Sequence, residues 1–98
     1  GSEYDDMVFA IRTIADLLRK DPNALPDAPV KDTYVAALGQ LDAGDFDAAL
    51  LSFIDVIRRD RYYDDDNSRK ACIAIFKLLG EEHEISLAHR KDFNRSLY

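Results

Sequence analysis

The stretch YVAALGQLDAGDFDAALLSFIDVI, from Tyr34 to Ile57, decides the fold. Its apolar residues form two stripes of helical spacing on either side of one turn. With Val30 just ahead of it, the first stripe is Val30, Tyr34, Ala37, Leu38 and Leu41; the second is Phe46, Ala49, Leu50, Phe53, Ile54 and Ile57. Between them, Ala43-Gly44-Asp45 leaves room only for a tight reversal. Gly44 can adopt positive φ there, and Asp45 can cap the following helix. Ala49 lets the two helices approach closely, while Phe46 and Phe53 fill the space between them. This predicts an antiparallel helical hairpin.

Outward from the hairpin, the same period continues. Tyr4, Met7, Val8, Ile11, Ile14, Ala15 and Leu18 predict a first helix, with Arg19 and Lys20 in its last turn. Pro22 stops it near Asp21, because the residue before a proline disfavours helical geometry. Asn23 to Pro29, with Pro26 and Pro29, reads as a loop. Past the hairpin, Asp64-Asp65-Asp66-Asn67 is expected to cap a fourth helix buried through Ala71, Cys72, Ile75, Phe76 and Leu79, with Gly80 at its end. A last helix is expected from about Glu82, stacking Ile85, His89, Phe93 and Leu97. No stretch alternates apolar and polar residues as a strand would. The fold class is therefore all-α, about five antiparallel helices in hairpins.

Ninety-eight residues make one domain and bury roughly 65% of the unfolded surface, enough for one modest core. Thirteen basic against 19 acidic residues give a net charge of -6, which argues against nucleic acid as a partner. The longest apolar run, Ala71 to Phe76, is far short of the roughly 20 residues that span a bilayer, so no membrane association is expected. One cysteine forms no internal disulfide, which fits a reducing, cytoplasmic setting. Gly1-Ser2 reads as the residue of a cleaved tag, leaving residues 3–98 as one domain taken from a longer chain.

The second and third helices resemble one tetratricopeptide unit, through the offsets of Gly44, Phe46, Ala49, Phe53 and Val56. In the leading helix Leu38-Gly39 sits two residues late for that pattern. A more specific resemblance follows: Leu51 to Asp60-Arg61, then Asp65-Asp66, then Arg69-Lys70-Ala71, then Ile75-Phe76-Lys77-Leu78-Leu79-Gly80. This run is similar to the C-terminal helical domain of bacterial thioredoxins fused to tetratricopeptide repeats, the co-chaperone or chaperedoxin group. The likeness covers roughly Ile11 to Tyr98. It departs from the group in a longer, Pro-containing loop at Asn23 to Val30, and in Glu84 where the pattern has Pro. The resemblance implies a right-handed superhelical stack, no enzymatic activity, no cofactor, and binding of unfolded clients or of folding machinery such as chaperonin.

Charge concentrates around one turn, in Arg58, Arg59, Asp60, Arg61, Asp64, Asp65, Asp66, Arg69 and Lys70. It reads either as a docking site for peptide ends or as caps and ion pairs that fix the angle between hairpins. The second is favoured, because acids at a helix start need no further reason. His83 and His89, six residues apart, fall on different helix faces and are expected to cap and to pack rather than to hold a metal. Cys72 is expected to be buried and inert. No nucleophile stands beside a general base, and no Gly-rich phosphate loop occurs. The expected partner surface is the end of the last helix, where Arg90, Lys91 and Arg95 bring positive charge to an acidic chain and Leu97 and Tyr98 supply apolar contact. The alternative is a structural or self-association module packing against upstream repeats; a monomer is expected over a dimer. Whether a concave groove is open or filled by the Asn23–Val30 loop stays open at this point.

Overall fold

The computed structural model describes residues 1–98: α1 (Ser2–Leu18), a short 3-10 turn (Pro22–Ala24), α2 (Lys31–Asp42), α3 (Phe46–Arg59), α4 (Tyr63–Leu79) and α5 (Glu84–Ser96), with no strand. The all-α hairpin architecture expected from the periodicity is what is found. No helix is long and apolar enough to cross a membrane.

The α2–α3 hairpin forms as its sequence dictates. Gly44 sits at φ 74°, and the Asp45 carboxylate accepts from the Ala48 N–H at 3.2 Å. All of Tyr34, Ala37, Leu38 and Leu41 are buried against Ala49, Leu50, Phe53, Ile54 and Ile57 in one continuous core. Edge-to-face aromatic contacts knit it: Tyr34 with Phe53 at 5.9 Å and with Tyr63 at 5.2 Å, and Phe76 with Phe93 at 5.4 Å. Cys72 is wholly buried there, and burial pushes its thiol pKa up, away from the thiolate. The Asn23–Pro29 loop carries the 3-10 turn, whose cap is Asp21, and is pinned at its far end. Tyr63 donates its hydroxyl to the Pro26 carbonyl and Arg59 donates to the Pro29 carbonyl.

Helix α1 departs from the sequence reading. Its buried residues are Ala10 and Leu17, with Ile14 packed alongside, whereas Tyr4, Met7, Ile11 and Leu18 face solvent. The helix lies chiefly along α4, touching α2 less. The two run antiparallel, since Asp6 pairs with Lys77 at one end and Lys20 with Asp64 at the other. The face of α1 that carries Ala10 and Leu17 is the one buried, in place of the wider apolar stripe. Helix α1 also ends at Leu18, so Lys20 lies beyond its last turn, where it reaches across to α4.

The acidic run departs too. Asp64, Asp65 and Asp66 do not cap a right-handed helix; all three take left-handed backbone, at φ 53°, 58° and 63°. Left-handed geometry costs an ordinary L-residue roughly 1–2 kcal/mol, and less for Asp, whose short polar side chain bonds locally. This explains three aspartates where the chain must reverse. Asp65 is exposed and makes no ion pair, so it isolates the backbone effect. Asp65→Val should lower stability by about 1–2 kcal/mol in urea unfolding, because a β-branched residue is poorly accommodated there, while Asp65→Gly should not. Equal stability of the two variants would contradict the left-handed turn.

Candidate protein-binding surface on the last helix

Helix α5 is held from one side and free on the other. The His83 ring nitrogen Nδ1 accepts from the Ile85 N–H at 3.0 Å and caps the start. His89, almost fully buried, meets the Asp47 carboxylate through Nε2 at 2.6 Å, tying α5 to α3. Phe93 is buried, and Ile85 and Leu97 pack against the core from its edge. Thus the stripe read from the sequence is the inward face, and both histidines cap or pack. No group of three or more His, Cys, Asp or Glu is placed to hold a metal ion.

The five residues expected to contact a partner divide into two sets. Lys91, Arg95 and Tyr98 are exposed, Tyr98 completely. Arg90 instead lays its guanidinium over the rings of Phe76 at 4.9 Å and Phe93 at 5.7 Å. Leu97 is half-buried, and its carbonyl accepts from Arg61 at 2.7 Å. Arg90 also borders a cleft of about 770 Å³ between the start of α1 and the end of α4. Met7, Ile73, Phe76 and Leu79 give the cleft an apolar floor; Glu3, Asp6 and Glu81 face Lys77 and Arg90 around it. A cleft with apolar floor and mixed charges suits an extended or helical peptide better than a small polar ligand.

The charges of the turn reach several elements. Arg59 donates to the Thr33 hydroxyl, to Asp55 and to the Pro29 carbonyl. Arg58 lies 3.8 Å from Asp92 of α5, and Arg69 bonds Asp66 at 2.6 Å. The Asp60 carbonyl accepts from the Tyr63 N–H at 3.2 Å.

One polar centre went unread in the sequence. The Asp64 carboxylate accepts from the Tyr34 hydroxyl at 2.7 Å, from Asn67 at 3.2 Å and from the Lys20 ammonium at 3.1 Å. One carboxylate thus joins α2 and α4 to Lys20, just past the end of α1. Burial disfavours its charge, but the donors from Tyr34, Asn67 and Lys20 outweigh burial and hold the carboxyl below its usual range. Burial, then the bond to Asp64, push the Tyr34 hydroxyl the opposite way, far above its ordinary value. Tyr34 lies 30 residues and Lys20 44 residues from Asp64 in the chain, separations at which no local pattern signals a contact.

Residues 10–98 match the family described as tetratricopeptide repeat. No curated protein and no solved structure matches the chain.

Proposed function

The chain belongs to the tetratricopeptide repeat family, whose domains are typically non-enzymatic protein-interaction modules, and from this premise we propose that it serves a co-chaperone. In this reading it docks a folding machine of the chaperonin type, or holds unfolded clients, through the outer face of α5. The parent chain would be a bacterial, cytoplasmic thioredoxin fusion. The observation that carries the reading is electrostatic. On a chain of net charge -6, Lys91 and Arg95 stand exposed beside a fully exposed terminal Tyr98, with Arg90 at the edge of the adjoining cleft. Aromatic and arginine side chains dominate binding energy at protein interfaces. Asp92 lies 3.9 Å from Arg95, but the three basic side chains outnumber it, and a net positive charge on a restricted patch steers an acidic partner. In this reading the turn residues form a frame rather than a contact surface: Arg58 and Arg61 reach Asp92 and the Leu97 carbonyl at α5, Arg59, Asp60, Asp66 and Arg69 bond within or beside the turn, and Asp65 supplies left-handed backbone alone.

The test is direct binding of the 98-residue chain to purified chaperonin, and to a permanently unfolded, reduced and carboxymethylated protein. An Arg90→Ala/Arg95→Ala/Tyr98→Ala variant is measured in parallel. Loss of these three side chains should weaken capture at least about tenfold, or 1.4 kcal/mol. Equal binding by the variant would move the contact off α5. No binding of either probe by the unaltered chain would remove the co-chaperone reading.

A further inference from the structure

The solvent-facing stripe of α1 has an order that its burial in the domain does not explain. Tyr4, Val8, Ile11, Ala15 and Leu18 follow one another at steps of four, three, four and three, the spacing of a coiled-coil seam. Tyr4, Ile11 and Leu18 are 71%, 55% and 40% exposed, and Val8 and Ala15 are half-buried. The helix is already packed on α4 through Ala10 and Leu17, so the seam lies beside that contact and not within it. Along the edge of the seam stand Asp5 and Arg12, one heptad apart, opposite in sign and both exposed. Neither has an ion-pair partner within the chain.

We infer that α1 pairs with α1 of a second copy of this chain, antiparallel and about a two-fold axis. Antiparallel pairing sets Tyr4 against Ala15 of the partner subunit, a large side chain against a small one, and Val8 against Ile11 of the partner subunit, two β-branched side chains of similar size. In the same register Asp5 faces Arg12 of the partner subunit, and the two-fold axis repeats the pair. Parallel pairing would set Asp5 and Arg12 beside the partner's Met7 and Ile14, which carry no charge to answer them. Edge charges of this kind choose the orientation of paired helices. A second copy therefore fits both the shape and the charge of the seam. The contact is one pair of short helices, which places it among small, weak interfaces. The inference replaces the monomer expected from the sequence. It also stands apart from the α5 reading, because it uses a different helix.

The experiment is molar mass by multi-angle light scattering and sedimentation velocity, across a concentration series reaching about 1 mM, where weak interfaces populate. The unaltered chain should rise from the 11.1 kDa of one copy towards twice that mass. Ile11→Asp, at an exposed position, should stay at the mass of one copy with an unchanged helical circular dichroism spectrum. Asp5→Arg and Arg12→Asp should each raise the concentration of half-association about tenfold, whereas their equimolar mixture, which restores opposite charges across the seam, should recover the larger mass. A mass of one copy throughout the series would overturn the inference and assign the seam to another protein or an upstream repeat. So would a dimer that survives Ile11→Asp, or charge variants whose mixture is no better than either alone.

Discussion

Replacing Phe53 by Ala is expected to destabilise the domain by about 3–5 kcal/mol. Phe53 has no exposed surface and its ring meets that of Tyr34 edge to face. It lies at the centre of α3, the helix that touches α2, α4 and α5. The cavity left by the ring opens where these helices converge, so collapse of any one wall would break contacts on another. A domain of this length holds only about 5–15 kcal/mol in total. The substitution should therefore bring the urea midpoint down by roughly 2–5 M, given slopes near 1–1.5 kcal/mol per M for small chains. Leu51→Ala, on the same helix but with its side chain exposed, is the comparison and should change stability little. A midpoint for Phe53→Ala close to that of Leu51→Ala would show that α3 is not the central helix.

Asp64→Ala is expected to cost about 2–3 kcal/mol, because it strands the fully buried Tyr34 hydroxyl and leaves Lys20 without its partner. If the stranded hydroxyl is the main penalty, Tyr34→Phe added to Asp64→Ala should cost less than the two single changes summed. The same site predicts a pH dependence. The folded carboxyl is held below the roughly 3.9 of an unfolded Asp. Its stabilisation is thus complete above that pH, and it is lost as pH falls through the folded value. Asp64→Asn keeps the size and the tolerance of left-handed backbone but cannot ionise. The stability gap between the unaltered chain and Asp64→Asn should therefore be widest near neutral pH and shrink below about pH 4. A gap constant from pH 7 to pH 2, followed by urea unfolding, would rule out the carboxylate as the stabilising form.

Local pattern made the α2–α3 hairpin, the inward stripe of α5 and the burial of Cys72 legible, because each depends on residues within a turn or two of one another. Gly44, Asp45 and the aromatic spacing need no distant partner to state their role. The α5 charges were legible as a surface for a similar reason, since a terminal helix carrying Lys91, Arg95 and Tyr98 has an obvious outward face. Arg90 was legible only in part: its reach over Phe76 depends on where α4 ends relative to α5.

The two misreadings share one cause. Seven apolar residues on α1 fit a helical period, but a helix with apolar residues around much of its circumference leaves the packed side undetermined. The choice fell to the Ala10 side, where α4 offers salt bridges towards both ends. The aspartates 64–66 fit a helix start, yet the chain must reverse so that Asp64 can reach Tyr34 and Lys20 at once. Sequence alone therefore determined that the chain is helical, where four of its five helices bury, and that its last helix is basic outside. The tertiary structure decided which face of α1 stays free and which carboxylate ties α2 and α4 to the segment that follows α1. Both turn on contacts between residues far apart in the chain, whose energies no local period encodes.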